Sequence, residues 1–292
     1  MTEKKWQGDT FGNNCMHRWL IAMLRHSDVR IYYVFAAVCV IPFCLLFSPG
    51  ARHAYRYFRR RWHNGCVKAL WHTYVNHVLF SQVVIDRFAM FAGKKMSLQV
   101  EGHDAFKRLA QGEEGFVMLS AHVGCYEMAG YELVSDSKPF NALVYGGEKA
   151  SVMRGRQQLF GHNNIHMIPI RTDMSHLFEI DRALSAGEIV SIPADRVFGS
   201  PRTVTVNLLG AAAELPLGPF QVPAMRQLNV VTVNVMKTST RGYTAYVKVL
   251  DYDKQTPRKQ QVQQLATAYA AELEQVLRRF PTQWYNYFEF WK

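Results

Sequence analysis

The sequence predicts an α/β fold: a central mixed, mostly parallel sheet flanked by helices, preceded by an N-terminal membrane-associated helical segment. Two observations lead there. From about Ala92 onward, short β-rich runs alternate with helical ones, the pattern of strand and helix layers packed on one core. Before that point, residues 31–48 read IYYVFAAVCVIPFCLLFS, without one charged side chain. A chain of 292 residues, 49% of them hydrophobic, also suffices for a large core. The division expected from this change of texture is an N-terminal anchoring region, 1–91, and a second domain, 92–292.

The apolar run comes first. As a helix its 18 residues would rise roughly 27 Å, against a hydrocarbon core of about 30 Å. Pro42 removes one backbone donor and should kink it, which fits a shallow or re-entrant segment as well as a crossing one. A buried core helix would have the same hydropathy, so the flanks decide. Arg30 precedes the run, and ARHAYRYFRRRWH follows it, with Arg52, Arg56, Arg59, Arg60 and Arg61 interleaved among aromatic residues. Such a mixture suits a lipid interface. Arg18, Arg25 and Arg30 lie on one side and those five arginines on the other, so the positive-inside rule predicts a C-terminal part on the cytoplasmic side of the membrane. No cleavable signal is expected, because bulky basic residues follow the run instead of a small-residue cleavage site.

Strands are expected at 97–101, 116–120, 140–145, 165–170, 189–193, 203–209, 229–235 and 243–250. Helices are expected near 126–135, 149–160, 175–186 and 219–227, with a longer one at about 257–279. The formal charge of +11 points to an acidic partner: nucleic acid, anionic lipid or an acidic carrier protein. Nucleic acid fits least, since the densest basic cluster adjoins the apolar run and no nucleic-acid motif is visible. The five cysteines are widely spaced, with no CxxC pair and no metal-like Cys/His spacing, so a reducing compartment and no metal site are expected.

Within VMLSAHVGCYEMAGYEL, His122 is followed five residues later by Glu127. With 11 histidines and 23 acidic residues in 292 positions, about one such pair is expected by chance; a second is His176 with Asp181. The second pair falls on one predicted helix, where residues five apart diverge by about 140°, so it reads as structural. His122 instead ends a predicted strand, where Gly124 permits a tight turn. Sites in open α/β sheets lie beyond the carboxyl ends of strands. There an acid could hold one imidazole nitrogen protonated while the other takes a proton from an alcohol. The competing reading is a strand-end histidine with a Glu placed for the helix dipole. Cys125 raises the further idea of a thiol nucleophile, against which stands ordinary packing of a small thiol.

SAHVGCYEMAG resembles the His-x4-Asp/Glu block of the glycerolipid and lysophospholipid acyltransferase superfamily, and specifically its branch of bacterial lipid A biosynthesis (late) acyltransferases. Further matches follow in order: MRGRQQLFG (153–161), IPADRVFG (192–199), VNLLGAAAELPLGPFQVPAMRQLNVV (206–231) and PTQWYNYFEFW (281–291). They resemble, in turn, the family's arginine-rich helix, its Asp-Gln-x-x-Gly block, its Phe-Phe-Gly to Thr-Pro-x-Gly segment and its Pro-x-Gln-Trp signature. The chain departs from the pattern at Cys125, where Asn is usual, and at Arg196, where Gln is usual.

The resemblance implies that 92–292 is an acyltransferase domain. It would transfer a fatty acyl chain from an acyl thioester, carried on acyl carrier protein, to a hydroxyl of a lipid A-type or other glycolipid in the membrane. The thioester is a substrate, and no cofactor or metal is implied. His122 would be the base and Glu127 the residue that holds and charge-stabilises it. Arg154 and Arg156 would bind a phosphate of donor or acceptor. Asp195, Arg196, Gly199 and Gly218 would line the substrate site, with Asp195 and Arg196 also readable as a structural ion pair. Acylation of another lipid (an aminolipid, an aryl-polyene or a lysophospholipid) and a catalytically inactive membrane scaffold of the same fold are the alternatives.

Overall fold

The computed structural model describes residues 13–129, 138–145, 150–160, 164–171, 173–197 and 202–291. Nine strands are assigned among them: β1 Ser97–Glu101, β2 Phe116–Ser120, β3 Phe140–Tyr145, β4 Ile165–Ile170, β5 Ile189–Pro193, β6 Thr203–Leu208, β7 Ala211–Pro216, β8 Asn229–Lys237 and β9 Gly242–Leu250. Seven make one sheet in the order β1-β9-β8-β2-β5-β3-β4, parallel throughout except for the antiparallel β8–β9 pair. β2 is central, and all five of its residues are buried, as an apolar run covered on both faces requires.

Alternation along β2 feeds two cores. Val117 and Leu119 pack in one apolar cluster with Leu265, Tyr269 and Leu273 of the Arg258–Arg279 helix. Phe116 and Met118, one residue out of phase, join the other cluster with Val83, Phe88 and Met90 of the long Cys66–Phe91 helix. Leu24, Val29, Tyr33 and Ala36 belong to that second cluster, so residues on both sides of the expected boundary at 91 share a core.

The eight expected strands form. β7, AAAELP, was not expected, because three alanines and a glutamate carry little strand preference. It returns antiparallel on β6 as a separate two-stranded unit, across a turn in which Leu209 (φ 51°) and Gly210 (φ 74°) both take positive φ, the requirement of a tight hairpin. The helix expected at 126–135 begins as a 3₁₀ turn, Tyr126–Met128, and residues 130–137 lie outside the described set.

The apolar run forms a helix over Val29–Phe47, with a mean hydropathy of 2.2 in its most apolar window. The kink expected at Pro42 takes the form of a π-helical turn at Ala36–Val40, in which the Ile41 amide reaches back to the Ala36 carbonyl. The next carbonyl, Ala37, would need the N–H that Pro42 lacks; the Tyr74 hydroxyl donates to it at 3.1 Å. Tyr33 of the same helix donates to Asp86, which is fully buried on the Cys66–Phe91 helix. The Asp86 carboxylate also accepts from Tyr243 of β9 and pairs at 2.5 Å with Lys237 at the end of β8. A buried carboxylate needs such partners, because its desolvation must be offset.

Candidate active site

His122 lies two residues beyond β2, and Asp195 two residues beyond β5, the parallel neighbour of β2. Both therefore stand past the carboxyl ends of central strands. The Ala194 amide donates to the Ser120 carbonyl at 2.9 Å and keeps the two loops together. The His122 loop turns through Gly124 at φ +49°, where an added Cβ would lie 2.0 Å from the Val235 carbonyl oxygen; only glycine fits. Backbone hydrogen bonds from Gly124 to Gln283 (2.8 Å), from Cys125 to Val235 (2.8 Å) and from Tyr285 to His122 (3.1 Å) fasten the loop to β8 and the C-terminal segment.

The Asp195 carboxylate takes the imidazole. One oxygen is 2.7 Å from His122 Nδ1, and the other accepts from the His122 backbone N–H at 2.9 Å and from the Trp284 indole N–H at 3.2 Å. At 1% exposure Asp195 cannot face a substrate, while the His122 side chain remains 20% exposed. Burial alone would raise the Asp195 carboxyl, but the His122 imidazole, its hydrogen bonds and the nearby Arg196 guanidinium outweigh it and hold Asp195 well below the usual carboxylate range. For His122, burial lowers the pKa; Asp195 pulls it up, Arg196 pushes it down, and the balance stays below the ordinary imidazole value. A neutral imidazole with Nδ1–H given to Asp195 leaves Nε2 as a proton acceptor.

The geometry divides the roles expected of Glu127 and Asp195: Asp195 holds the imidazole, and Glu127 acts on it through charge alone. Among the described residues no hydrogen bond joins Glu127 to His122. The Glu127 carboxylate, buried, instead pairs with Arg156 and with Arg87 Nε at 3.1 Å. Burial would raise the Glu127 carboxyl; Arg156 first, then Arg87, lower it below its usual value. Asp195, expected in the substrate site, stands behind the histidine.

The remaining expected residues divide. Arg156, expected to bind a phosphate, is turned inward on Glu127 with its side chain 7% exposed, because a buried carboxylate needs a cation. Arg154 is exposed on the same Ala150–Phe160 helix. Arg196 donates to the Tyr285 carbonyl at 2.9 Å and stacks its guanidinium over Phe288 at 5.7 Å. Gly218 opens the Gly218–Arg226 helix with nothing within 4 Å of an added Cβ, so no close approach demands glycine there. Gly199 lies outside the described residues. Cys125 is buried and its thiol is pushed up to about 12 by desolvation first and by Glu127 second, which leaves no thiolate for nucleophilic attack at neutral pH. His176 and Asp181 diverge as expected: the first accepts from the Arg171 amide, and the second pairs with Arg226.

Two site residues escaped the sequence reading. Arg87 is one, although Asp86-Arg87 stands out as adjacent charges inside the otherwise apolar VVIDRFAMF. Trp284, within the PTQWYNYFEFW block, is the other; its indole N–H reaches Asp195 from 89 residues away.

The family description "Bacterial lipid A biosynthesis acyltransferase" matches residues 83–292, the part that carries the sheet, His122 and Asp195. Among solved structures, the 1-acyl-sn-glycerophosphate (LPA) acyltransferase PlsC from Thermotoga maritima aligns at a TM-score of 0.40 and 13% identity, over 92% of this chain and 99% of that one. No curated protein matches the sequence. On the extent of the family match, the chain belongs to the bacterial lipid A biosynthesis acyltransferases and is an acyltransferase.

Proposed function

We propose that the protein moves a fatty acyl chain from acyl carrier protein to a hydroxyl of a lipid A-type or other glycolipid at the cytoplasmic face of the inner membrane, with His122 as general base. The observation that carries this reading is the 2.7 Å contact between His122 Nδ1 and buried Asp195 on an imidazole that remains 20% exposed, an arrangement that suits Nε2 to accept a proton. In this scheme Nε2 takes the acceptor hydroxyl's proton as its oxygen attacks the thioester carbonyl. Asp195 stabilises the imidazolium that forms, and collapse of the tetrahedral intermediate expels the carrier thiolate, which regains the proton from His122. We assign to Arg196, whose charge already acts on the imidazole, stabilisation of the developing oxyanion. Exposed Arg154 is the candidate for a donor or acceptor phosphate.

Membrane association is supported by the Val29–Phe47 helix, which turns Ile31, Val34, Phe35, Val38, Phe43, Leu46 and Phe47 outward, each more than half exposed. A continuous apolar face of that kind marks an interface, and lipid is the partner that suits an enzyme with lipid substrates.

The test is acyl transfer by detergent-solubilised protein, with radiolabelled acyl carrier protein thioester and total membrane lipid. Labelled lipid is the expected result, and its identity names the acceptor. No transfer from either carrier or coenzyme A thioesters would overturn the proposal. The pH profile adds a check: a base with a depressed pKa is protonated only at lower pH. The acid limb of kcat/KM is therefore expected below about 6.5, with full activity retained through neutrality. A limb centred above that value would contradict a buried, neutral His122.

A further inference from the structure

The Pro49–Arg60 helix follows the apolar helix directly and carries a cationic face that neither catalysis nor the core uses. Arg52, Arg56 and Arg60 recur every four residues, and His53 stands seven before Arg60, so all share one side. Among the described residues, one carboxylate from the C-terminal segment is set against His53, Arg56 and Arg60. Glu289 lies 3.5 Å from His53 Nδ1, 3.4 Å from Arg56 Nη1 and 3.7 Å from Arg60 Nη1. These contacts are long, and the Arg56 and Arg60 side chains are 54% and 62% exposed. Such pairs hold weakly and exchange readily. The crevice that encloses them is walled by Tyr57, Phe288 and Trp291, with Arg61 stacked over Trp291 at 5.2 Å.

We propose that this crevice binds the phosphate of an anionic phospholipid headgroup, and that Glu289 is the internal carboxylate this phosphate displaces. The proposal rests on the reading above that the protein works at a membrane. Guanidinium groups match phosphate oxygens with their planar forks better than they match one distant carboxylate. The position selects a lipid over a soluble acidic partner: Leu46 and Phe47, 77% and 69% exposed, end the apolar helix immediately before Ser48 and the basic helix. A headgroup in the crevice would thus have its acyl chains beside an apolar surface, where each arginine adds attraction to an anionic membrane. The site also borders the catalytic pair, since Tyr57 packs on Trp284 with ring centres 5.5 Å apart, and Trp284 donates to Asp195.

Titration calorimetry on the full chain in neutral detergent tests this, with dihexanoyl phosphatidylglycerol below its micelle concentration, inorganic phosphate, and acyl carrier protein as separate probes. Phosphatidylglycerol is expected to bind, about 10-fold or more weakly in Arg56→Gln/Arg60→Gln, and about 3- to 5-fold more tightly in Glu289→Gln, which loses the competing carboxylate. The gain in Glu289→Gln cannot come from misfolding. The proposal is overturned if the arginine double variant binds as wild type, or if Glu289→Gln binds no tighter. Inorganic phosphate binding as well as the lipid would reduce the crevice to a bare anion site. Carrier protein binding there in place of phosphatidylglycerol would assign it to the donor. Binding needs no turnover, so a failure here is separable from a failure of the labelled transfer assay.

Discussion

Alanine at His122 is expected to lower acyl transfer by about 10²- to 10⁴-fold, the usual contribution of a positioned general base. Asparagine at Asp195 is expected to fall in the same range, for a reason the geometry supplies. Two donors, the His122 amide and the Trp284 indole, meet one Asp195 oxygen, so an asparagine would keep its carbonyl there and turn its NH₂ toward His122 Nδ1. Nδ1 would then accept, the proton would sit on Nε2, and the imidazole would be in the wrong tautomer to take a proton from a hydroxyl. Because both changes disable one unit, the His122→Ala/Asp195→Asn double variant should be no slower than His122→Ala alone. Initial rates with labelled thioester decide it. Near wild-type turnover by Asp195→Asn would show that another group orients the histidine.

The second large effect is on stability. Removing the Glu127 carboxylate in Glu127→Ala leaves the Arg87 and Arg156 guanidiniums, 12% and 7% exposed, without their shared anion. Breaking a buried ion pair from one side costs about 3–5 kcal/mol, and denaturant unfolding in detergent should register a loss of that size. The pH dependence has a definite sign: the Glu127 pKa is depressed in the folded protein, so its contribution is complete above the unfolded value of about 4.3 and fades as pH falls through and below that range. Asp195 acts in the same direction. A Glu127→Ala protein as stable as wild type yet unable to transfer acyl groups would return Glu127 to the chemistry.

The sheet was legible because its strands are short apolar runs bounded by polar or glycine-containing turns, and β2, FVMLS, could be nothing else with both faces covered. β7 was illegible because alanines pack anywhere. The histidine was legible from its place at a strand end, but its partner was not. Asp195 is 73 residues away, and its approach depends on β5 lying beside β2, which no local pattern states. Glu127, closer in the chain, is claimed by two arginines from two different helices, and charge burial outweighs proximity in sequence.

The buried carboxylate of Asp86 bears on how the protein can be handled. Its partners come from the apolar helix (Tyr33), the Cys66–Phe91 helix that carries it, and two strands (Lys237, Tyr243). Deleting the first 48 residues to obtain a soluble fragment would strip one phenol from that carboxylate and take Leu24, Val29 and Ala36 out of a shared core. Such a fragment should therefore be recovered misfolded or aggregated. The apolar segment is built into the same body as the sheet and is not a removable tether.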